Sequence, residues 1–230
     1  MELNDIILGE REISGFKSDF EIEVTQIIKR LNTCESVFES LMLANEKPKF
    51  KWVNQYVFLS LETSVTSLRL LAEGHINAAG NTMRISYESL CMSILLSSPK
   101  KLKVGRGKQQ KEIDFYSNYI NKDNSAKAHL SIDIVIKNAN TLGLTSGKEW
   151  LKQAKNFYNG YSHASEMVFS SLVLKSGKSI VGGGYNEEKR DIVSNHLEYI
   201  DRLAKQLPEL IKEVASRNLT STLNGTKTVG

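Results

Sequence analysis

Apolar residues recur every three or four positions along most of this chain, which is the spacing of one face of an α-helix. The first stripe predicts a long helix that ends near residues 47–48; its members are Phe20, Val24, Ile27, Leu31, Cys34, Phe38 and Leu41. A matching stripe predicts a last long helix over about 187–217; its members are Val193, Leu197, Ile200, Ala204, Leu207, Ile211 and Val214. Because both stripes alternate four- and three-residue steps, we expect these two terminal helices to pack together.

Two further long helices are predicted between them. The second covers about 51–73, and Gly74 supplies the left-handed residue that ends many helices. The third carries an apolar stripe from Ile76 to Ile94 and stops at Pro99. The link between these two helices is short, so they must lie antiparallel and form a helical hairpin of the kind that seeds a bundle.

Shorter elements are predicted in the middle of the chain. Residues 112–120 and 150–158 have helical spacing. The run over 130–136 alternates like a strand, but Asn124 and Ser125 offer helix caps, and the later apolar residues keep helical spacing. We therefore predict a helix there.

The period changes after residue 168. Residues 169–174 and 178–181 are β-prone runs joined by Ser176-Gly177, a usual two-residue hairpin connection, so a β-hairpin is predicted over 169–182. The predicted fold class is therefore mostly α, a helical bundle with one β-hairpin. Residues 1–217 are expected to form a single α-helical domain, and residues 218–230 a flexible C-terminal tail.

The composition is that of a soluble globular protein. Apolar residues make up 40% of the 230 residues and charged residues 24%, which indicates neither disorder nor membrane residence. No window approaches the roughly 20 apolar residues that span a bilayer, and the acidic amino terminus does not resemble a secretory signal. A cytoplasmic protein without membrane contact is expected. Cys34 and Cys91 lie in apolar stripes and are interpreted as buried thiols, and no motif indicates a metal or another cofactor.

Residues 100–111 carry six basic residues, no acidic residue and two glycines, and we interpret them as an exposed, mobile loop. Clustered basic side chains release counterions when they neutralise phosphates, so this loop is a candidate contact for a nucleic-acid backbone. The residues expected to contact phosphate are Lys100, Lys101, Lys103, Arg106 and Lys108. The alternative is a solvated loop without a ligand. The net charge of +4 is too small to indicate nucleic acid by itself, so this prediction depends on the local cluster.

The segment Tyr158-Asn159-Gly160-Tyr161-Ser162-His163 contains the histidine with the most chemically suggestive neighbours. It resembles the Arg-Asn-x-x-x-His signature of the HEPN superfamily, whose members are helical proteins that bind or cleave RNA. Asn159 and His163 match the signature, whereas Tyr158 occupies the arginine position. Arg84 and Glu88 form an Arg-x-x-x-Glu pair that is similar to a helical element of uncharacterised bacterial HEPN-like proteins. Together these segments extend the resemblance over about half of the chain.

The resemblance implies metal-free RNA cleavage in active members, and a role in bacterial defence or toxin–antitoxin systems with RNA or a nucleotide as the ligand. The RNA 2'-hydroxyl attacks the adjacent phosphate, a histidine transfers a proton, and an arginine stabilises the charge on phosphorus. The catalytic candidates are His163, Arg84 and Glu88, and the residues expected to orient the ligand are Tyr158, Asn159 and Ser162. Since a tyrosine cannot replace a bidentate guanidinium, cleavage is expected to be weak or absent unless Arg84 or a loop lysine supplies the charge.

Other interpretations remain open. The chain is alternatively a non-catalytic helical module that forms a homodimer or binds a partner protein, or a small-molecule enzyme with a deep apolar pocket at His163. In a purely structural interpretation, His163 pins a helix end, and Arg84 and Glu88 form an intrahelical ion pair. His129 and His196 have no evident partners and are expected to be solvated.

Overall fold

The protein is mostly α-helical in the computed structural model, which describes residues 13–42, 48–179 and 183–223. Nine α-helices lie within these ranges: α1 Ser14–Met42, α2 Pro48–Ala72, α3 Ile76–Ser97, α4 Phe115–Ile120, α5 Ser131–Lys137, α6 Ala139–Leu142, α7 Lys148–Asn159, α8 Glu166–Leu172 and α9 Arg190–Leu223. Two strands, β1 Leu102–Val104 and β2 Lys111–Ile113, form an antiparallel hairpin. The predicted class, a helical bundle with one β-hairpin, is confirmed. None of the helices described is both long and apolar enough to cross a membrane.

Helices α2 and α3 form the predicted hairpin, and small hydroxyl side chains line their contact. The hydroxyls of Ser60 and Ser64 lie 3.1 and 2.8 Å from the Ser86 hydroxyl. Further along, the Ser67 hydroxyl donates to the Ala79 carbonyl at 2.9 Å, so the pairing runs antiparallel. These serines are buried, and their mutual hydrogen bonds satisfy polar groups that would otherwise destabilise the interface.

The terminal helices α1 and α9 pack together, as their matching stripes predict. The buried thiol of Cys34 donates to the Ala204 carbonyl at 3.3 Å, and Arg30 forms an ion pair with Asp201. Burial raises the pKa of Cys34 to about 12, so the thiol stays protonated at neutral pH. Cys91 is also a buried free thiol, which confirms the prediction for both cysteines. The α1 and α9 stripes therefore close one side of the bundle.

The β-hairpin lies in the basic segment, where the sequence predicts a mobile loop. Leu102 and Val104 point into the core and Lys103 points outward, and Leu102 pairs with Ile113 across the sheet. The Asn138 side chain clamps the strand, because it accepts from the Lys103 amide and donates to the Lys103 carbonyl, both at 2.9 Å. The prediction of a loop is wrong because burial of two alternating apolar residues outweighs the solvation of the lysines between them.

The hairpin predicted over 169–182 is largely helix instead. Residues 169–172 belong to α8, and the only pairing described afterwards is a single bridge between Val173 and Ser179. Residues 180–182 lie outside the described residues. The Ser165 hydroxyl accepts from the Val168 amide and caps α8, and this local signal overrides the β-propensity of the run.

The final helix is longer than predicted. Helix α9 continues to Leu223, so residues 218–223, assigned to a flexible tail by the sequence, are helical. The rest of the predicted tail, residues 224–230, lies outside the described residues. A tail made of small polar residues still has ordinary helix propensities, so a long packed helix extends into it.

Gly80 allows α3 to approach the segment after α7. A Cβ atom added there would lie 2.5 Å from Cγ of the buried Tyr161 ring. Overpacking costs about 1–3 kcal/mol, more than the roughly 0.5–1 kcal/mol that alanine gains in a helix interior. We expect Gly80→Ala to lower the free energy of unfolding by about 1–2 kcal/mol in urea denaturation. Gly147→Ala, with open space around its Cβ, is the control, and equal loss in both variants would contradict the packing argument.

Candidate functional site

The site lies where α3 meets the turn that follows α7, and Arg84 joins the two. Its Nε donates to Oε1 of Glu88 at 2.8 Å, one helical turn along α3. Its Nη1 donates to the Ser162 hydroxyl, 78 residues further along the chain. The Arg84 and Glu88 side chains are 27% and 15% exposed, so the ion pair is half-buried and the guanidinium still reaches solvent. The two segments that carry the catalytic candidates therefore meet in the fold.

His163 follows Ser162 directly, and its side chain is exposed. Its carbonyl accepts from the Ser165 amide at 2.7 Å, in the turn that leads into α8. Within the described part of the chain, no hydrogen bond or ion pair occupies the imidazole. Consecutive Cα atoms are about 3.8 Å apart, so the His163 backbone directly adjoins the residue that Arg84 holds. A guanidinium and an accessible imidazole are both groups that can donate hydrogen bonds to a phosphate.

Tyr158 is a core residue, and its assignment as a ligand-binding residue is wrong. The side chain is 1% exposed and packs between the rings of Tyr87, Tyr161 and His196. Its hydroxyl is buried without a hydrogen-bond partner among the described residues, and desolvation raises the pKa of the phenol well above its usual value of 10. Tyr158 therefore cannot contact RNA. It fixes the end of α7 against α3.

Asn159 and Ser162 have different surroundings. The Asn159 side chain is exposed, and its carbonyl accepts from the Ser162 amide at 3.2 Å. The Ser162 hydroxyl accepts from Arg84 and donates to the Tyr158 carbonyl at 3.3 Å. Ser162 thus holds the guanidinium in place, while Asn159 remains available at the surface beside it.

The five basic candidates of the hairpin segment have contacts of their own. Lys101, Lys103 and Lys108 are exposed, and the Lys100 ammonium donates to the Thr141 carbonyl at 3.0 Å. Arg106 lies 3.6 Å from Asp133. None of the contacts described joins these residues to Arg84 or His163.

Asp133 connects the hairpin to α7. Its Oδ1 accepts from the Lys155 ammonium at 2.6 Å, while its Oδ2 faces Arg106. Part of the positive charge of this surface is therefore compensated by a carboxylate. The exposed lysines of β1 and the hairpin turn keep their charge for an external ligand.

His196 is the titratable residue that the sequence assigned wrongly. It is fully buried in α9, and its ring lies 4.7 Å from the Tyr161 ring and 5.0 Å from the Phe157 ring, measured between centroids. Neither ring nitrogen has a partner among the described residues, and desolvation lowers the pKa of the imidazole to about 3. The signal was present in the sequence, because position 196 falls on the apolar stripe of α9 between Val193 and Leu197.

A metal-dependent site has no support in the described residues, since no group of three or more His, Cys, Asp and Glu side chains is placed to hold an ion there. The exposure of His163 also differs from the deep apolar pocket that a small-molecule enzyme would need.

Comparison with known proteins adds no family. The chain matches no protein-family model, no curated protein and no solved structure. Function must therefore be inferred from the contacts of Arg84, Ser162 and His163.

Proposed function

We propose that this chain is an HEPN-like RNA- or nucleotide-binding protein of a bacterial defence or toxin–antitoxin system, acting in the cytoplasm. Arg84, Ser162 and His163 hold a phosphate group, and metal-independent RNA cleavage is weak or absent. The observation that supports this most directly is the hydrogen bond from Arg84 to Ser162, which fixes a half-buried guanidinium on the residue that precedes the exposed His163 in the chain. A phosphate in this place accepts from the guanidinium and from a ring N–H of His163.

Two features of the site favour binding over cleavage. Glu88 neutralises much of the Arg84 charge at 2.8 Å, so less positive potential is left for the charge that builds on phosphorus. The arginine of the family signature is replaced by Tyr158, which is buried and neutral. Removing one oxyanion contact costs about 2.7–4 kcal/mol of transition-state stabilisation in other enzymes. This site lacks the contact that the signature arginine would make.

The exposed lysines of the hairpin extend the proposed RNA surface. Lys101, Lys103 and Lys108 would neutralise backbone phosphates and give the binding its salt dependence. Substituting these three lysines by glutamine is expected to weaken RNA binding equally for all sequences and to lower the slope of log affinity against log salt by about 2, or roughly 0.7 for each phosphate contact on a single strand. Fluorescence anisotropy at three salt concentrations measures this slope. An unchanged slope would exclude the hairpin from the RNA surface.

Charge variants of the ion pair test the phosphate contact itself. Arg84→Gln should weaken binding of a labelled single-stranded RNA about tenfold or more, as expected for one charge-assisted hydrogen bond. Glu88→Gln should tighten it, because the guanidinium then keeps its full charge. A purely structural ion pair predicts that both variants lower the melting temperature and leave RNA affinity unchanged, and that result would remove the proposal.

Cleavage is tested separately with cellular RNA in the presence of a chelator. His163→Ala is the matched variant, since an exposed side chain can be truncated without disturbing the core. Residual cleavage by the parent chain should disappear in His163→Ala. Equal cleavage by both proteins, or none by either, removes ribonuclease activity from the proposal and leaves binding alone.

A homodimerising or partner-binding module is the second candidate, and exposed apolar residues favour it. Phe58 and Leu59 of α2 are exposed by 54% and 37%, and they line an apolar cleft of about 540 Å³ against Phe38 of α1. Light scattering after size exclusion separates the two functions. A stable dimer that is indifferent to RNA and salt, and that Phe58→Glu dissociates, supports the module. Retention of RNA that falls with salt supports nucleic-acid binding.

A further inference from the structure

A cavity of about 490 Å³ lies between α3, α7 and α9. Its walls include Leu90, Ile94, Gly147, Trp150, Leu151 and Lys205, which together define the Trp150 cavity. The volume falls within the roughly 300–1,000 Å³ of small-molecule pockets. Arg84, Ser162 and His163 are not among the residues that line it, so a ligand here would occupy a site separate from the proposed RNA site.

The inner wall of the Trp150 cavity is apolar and belongs to the core. Leu90 and Ile94 of α3 and Leu151 of α7 line it, and each is at most 5% exposed. The Trp150 ring continues the wall and packs on the Tyr87 ring with 5.3 Å between centroids. The bundle holds these side chains, so the wall is formed before a ligand arrives and binding requires little ordering. Such a wall favours an apolar ligand group, because contact removes both surfaces from water.

Gly147 leaves space open at the start of α7. It lines the cavity, and a Cβ atom added there would have no heavy atom within 4 Å apart from its own neighbours in the chain. Its backbone has a φ of −86° and a ψ of −11°, which residues with side chains also adopt. A larger residue at position 147 would therefore fill part of the cavity without straining the backbone.

The rim of the cavity is polar and carries positive charge. Arg202, Lys205 and Gln206 of α9 line it and are exposed, so the cavity opens to solvent on this side. Among the described residues that line the cavity, Arg202 and Lys205 are the charged ones. A long cationic side chain lays its stem along an apolar wall and keeps its charged end in water, which puts the charge at the mouth. Arg202 forms an ion pair with Glu198, so its charge is partly neutralised.

Lys205 is the rim cation whose charge is left for a ligand. The carboxylates four residues before and after it on α9 have partners of their own. Asp201 pairs with Arg30, and Glu209 pairs with Lys212 at 2.6 Å. Within the part of the chain that the structure describes, no ion pair is formed by Lys205. One uncompensated ammonium at the mouth of an apolar cavity matches a ligand with a single negative charge.

We propose that the Trp150 cavity binds an amphipathic monocarboxylate such as a medium-chain fatty acid. The apolar body lies against the inner wall, and the carboxylate lies at the mouth beside Lys205. An alcohol of the same chain length makes the apolar contacts without the ion pair, and an amine brings like charge to the rim. The cavity therefore ranks ligands of one chain length, with the acid first, the alcohol second and the amine last.

Trp150 provides the readout for a binding test on the full chain. The chain has two tryptophans, and Trp52 packs against Tyr119 and does not line the cavity. In a Trp52→Phe background, titration with decanoate should move the Trp150 emission to shorter wavelength and saturate at one site, because the ligand displaces water from the indole. Octanoate should bind about fifteenfold more weakly, or about fourfold for each methylene that is no longer buried. Decanol should bind more weakly than decanoate, and decylamine more weakly than decanol.

Two variants in the same background locate the ligand. Gly147→Leu fills the cavity and should abolish saturable binding while the melting temperature stays within a few degrees of the parent's. Lys205→Gln should weaken decanoate binding about two- to fivefold, as expected for a rim ion pair, and leave decanol binding unchanged. Lys152→Gln, at an exposed lysine of α7 that does not line the cavity, is the matched control and should bind decanoate as the parent does.

Three results would overturn the proposal. The first is a Trp150 emission that decanoate leaves unchanged or changes without saturation. The second is affinity for decylamine or decanol equal to that for decanoate, or an equal loss of both acid and alcohol in Lys205→Gln. The third is undiminished decanoate binding by folded Gly147→Leu. If Gly147→Leu does not fold, the ligand ranking and the surface variant Lys205→Gln still decide.

Discussion

Replacing Tyr158 by arginine, the residue that the HEPN signature has at this position, is expected to unfold the protein or to destabilise it by at least about 3–5 kcal/mol. The side chain is 1% exposed, and the contacts described for it are with aromatic rings. Attraction between a guanidinium and ring faces contributes about 2 kcal/mol when desolvated, which is less than the several kcal/mol lost on burying the ion. Chemical denaturation measures the difference.

Tyr158→Phe is the matched control for this substitution. The Tyr158 hydroxyl has no partner in the described structure, so its removal should leave stability unchanged or raise it by about 1–2 kcal/mol. Should Tyr158→Arg instead remain as stable as the parent and gain ribonuclease activity, position 158 would face the ligand. The present assignment of Tyr158 to the core would then be wrong.

The long helices were predictable because each buries one continuous stripe. The predicted limits of α3 lie within a few residues of the observed ones, because Gly74 and Pro99 mark its two ends in the sequence. The hairpin was misplaced because its signal is only three residues per strand. In β1 a single lysine separates Leu102 and Val104. The many basic residues around them made the segment look like a solvated loop, so this short alternation was not recognised.

The candidate site was predictable only in part. Arg84 and Ser162 are 78 residues apart in the chain. The resemblance placed both in one candidate site, but the hydrogen bond between them is visible only in the folded structure. The burial of Tyr158 and Lys189 depends on packing between α3, α7, α8 and α9, which no local pattern specifies. Lys189 in particular lies in a polar run that is typical of a solvated helix start.

Among the residues whose burial was not predicted, His196 has the clearest indication of burial in the local sequence. Its surroundings affect the stability of the protein. Val193, Leu197 and Ile200 define the buried face of α9, and His196 lies within that face. The groups that face it are the rings of Phe157, Tyr158 and Tyr161, which supply no carboxylate to stabilise a charged imidazole. The folded protein therefore keeps the His196 imidazole neutral at acidic pH values at which the unfolded chain protonates it.

Acid should consequently destabilise the protein through His196. The pKa of the imidazole is about 3 in the folded state against 6.5 when unfolded, so the unfolded state binds the extra proton as pH falls. The contribution of neutral, buried His196 to the free energy of unfolding is fully present above pH 6.5 and is lost progressively between pH 6.5 and 3. We expect the free energy of unfolding to decrease by about 2 kcal/mol between pH 8 and pH 5, and by about 1.4 kcal/mol for each further unit down to the folded pKa.

Urea denaturation of His196→Phe between pH 8 and 4 measures this contribution. The variant should lose the slope and keep or exceed the parent's stability at pH 8, since it removes two unpaired ring nitrogens from the core. His129→Gln, at an exposed histidine, should keep the slope. Asp114 and Asp123, whose pKa values are lowered from 3.8, lose their contributions only near and below that value, so the range from pH 6.5 to 4 separates them from the histidine. Equal slopes in the parent and His196→Phe would mean that another group binds the proton, and that this imidazole is accessible in the folded protein.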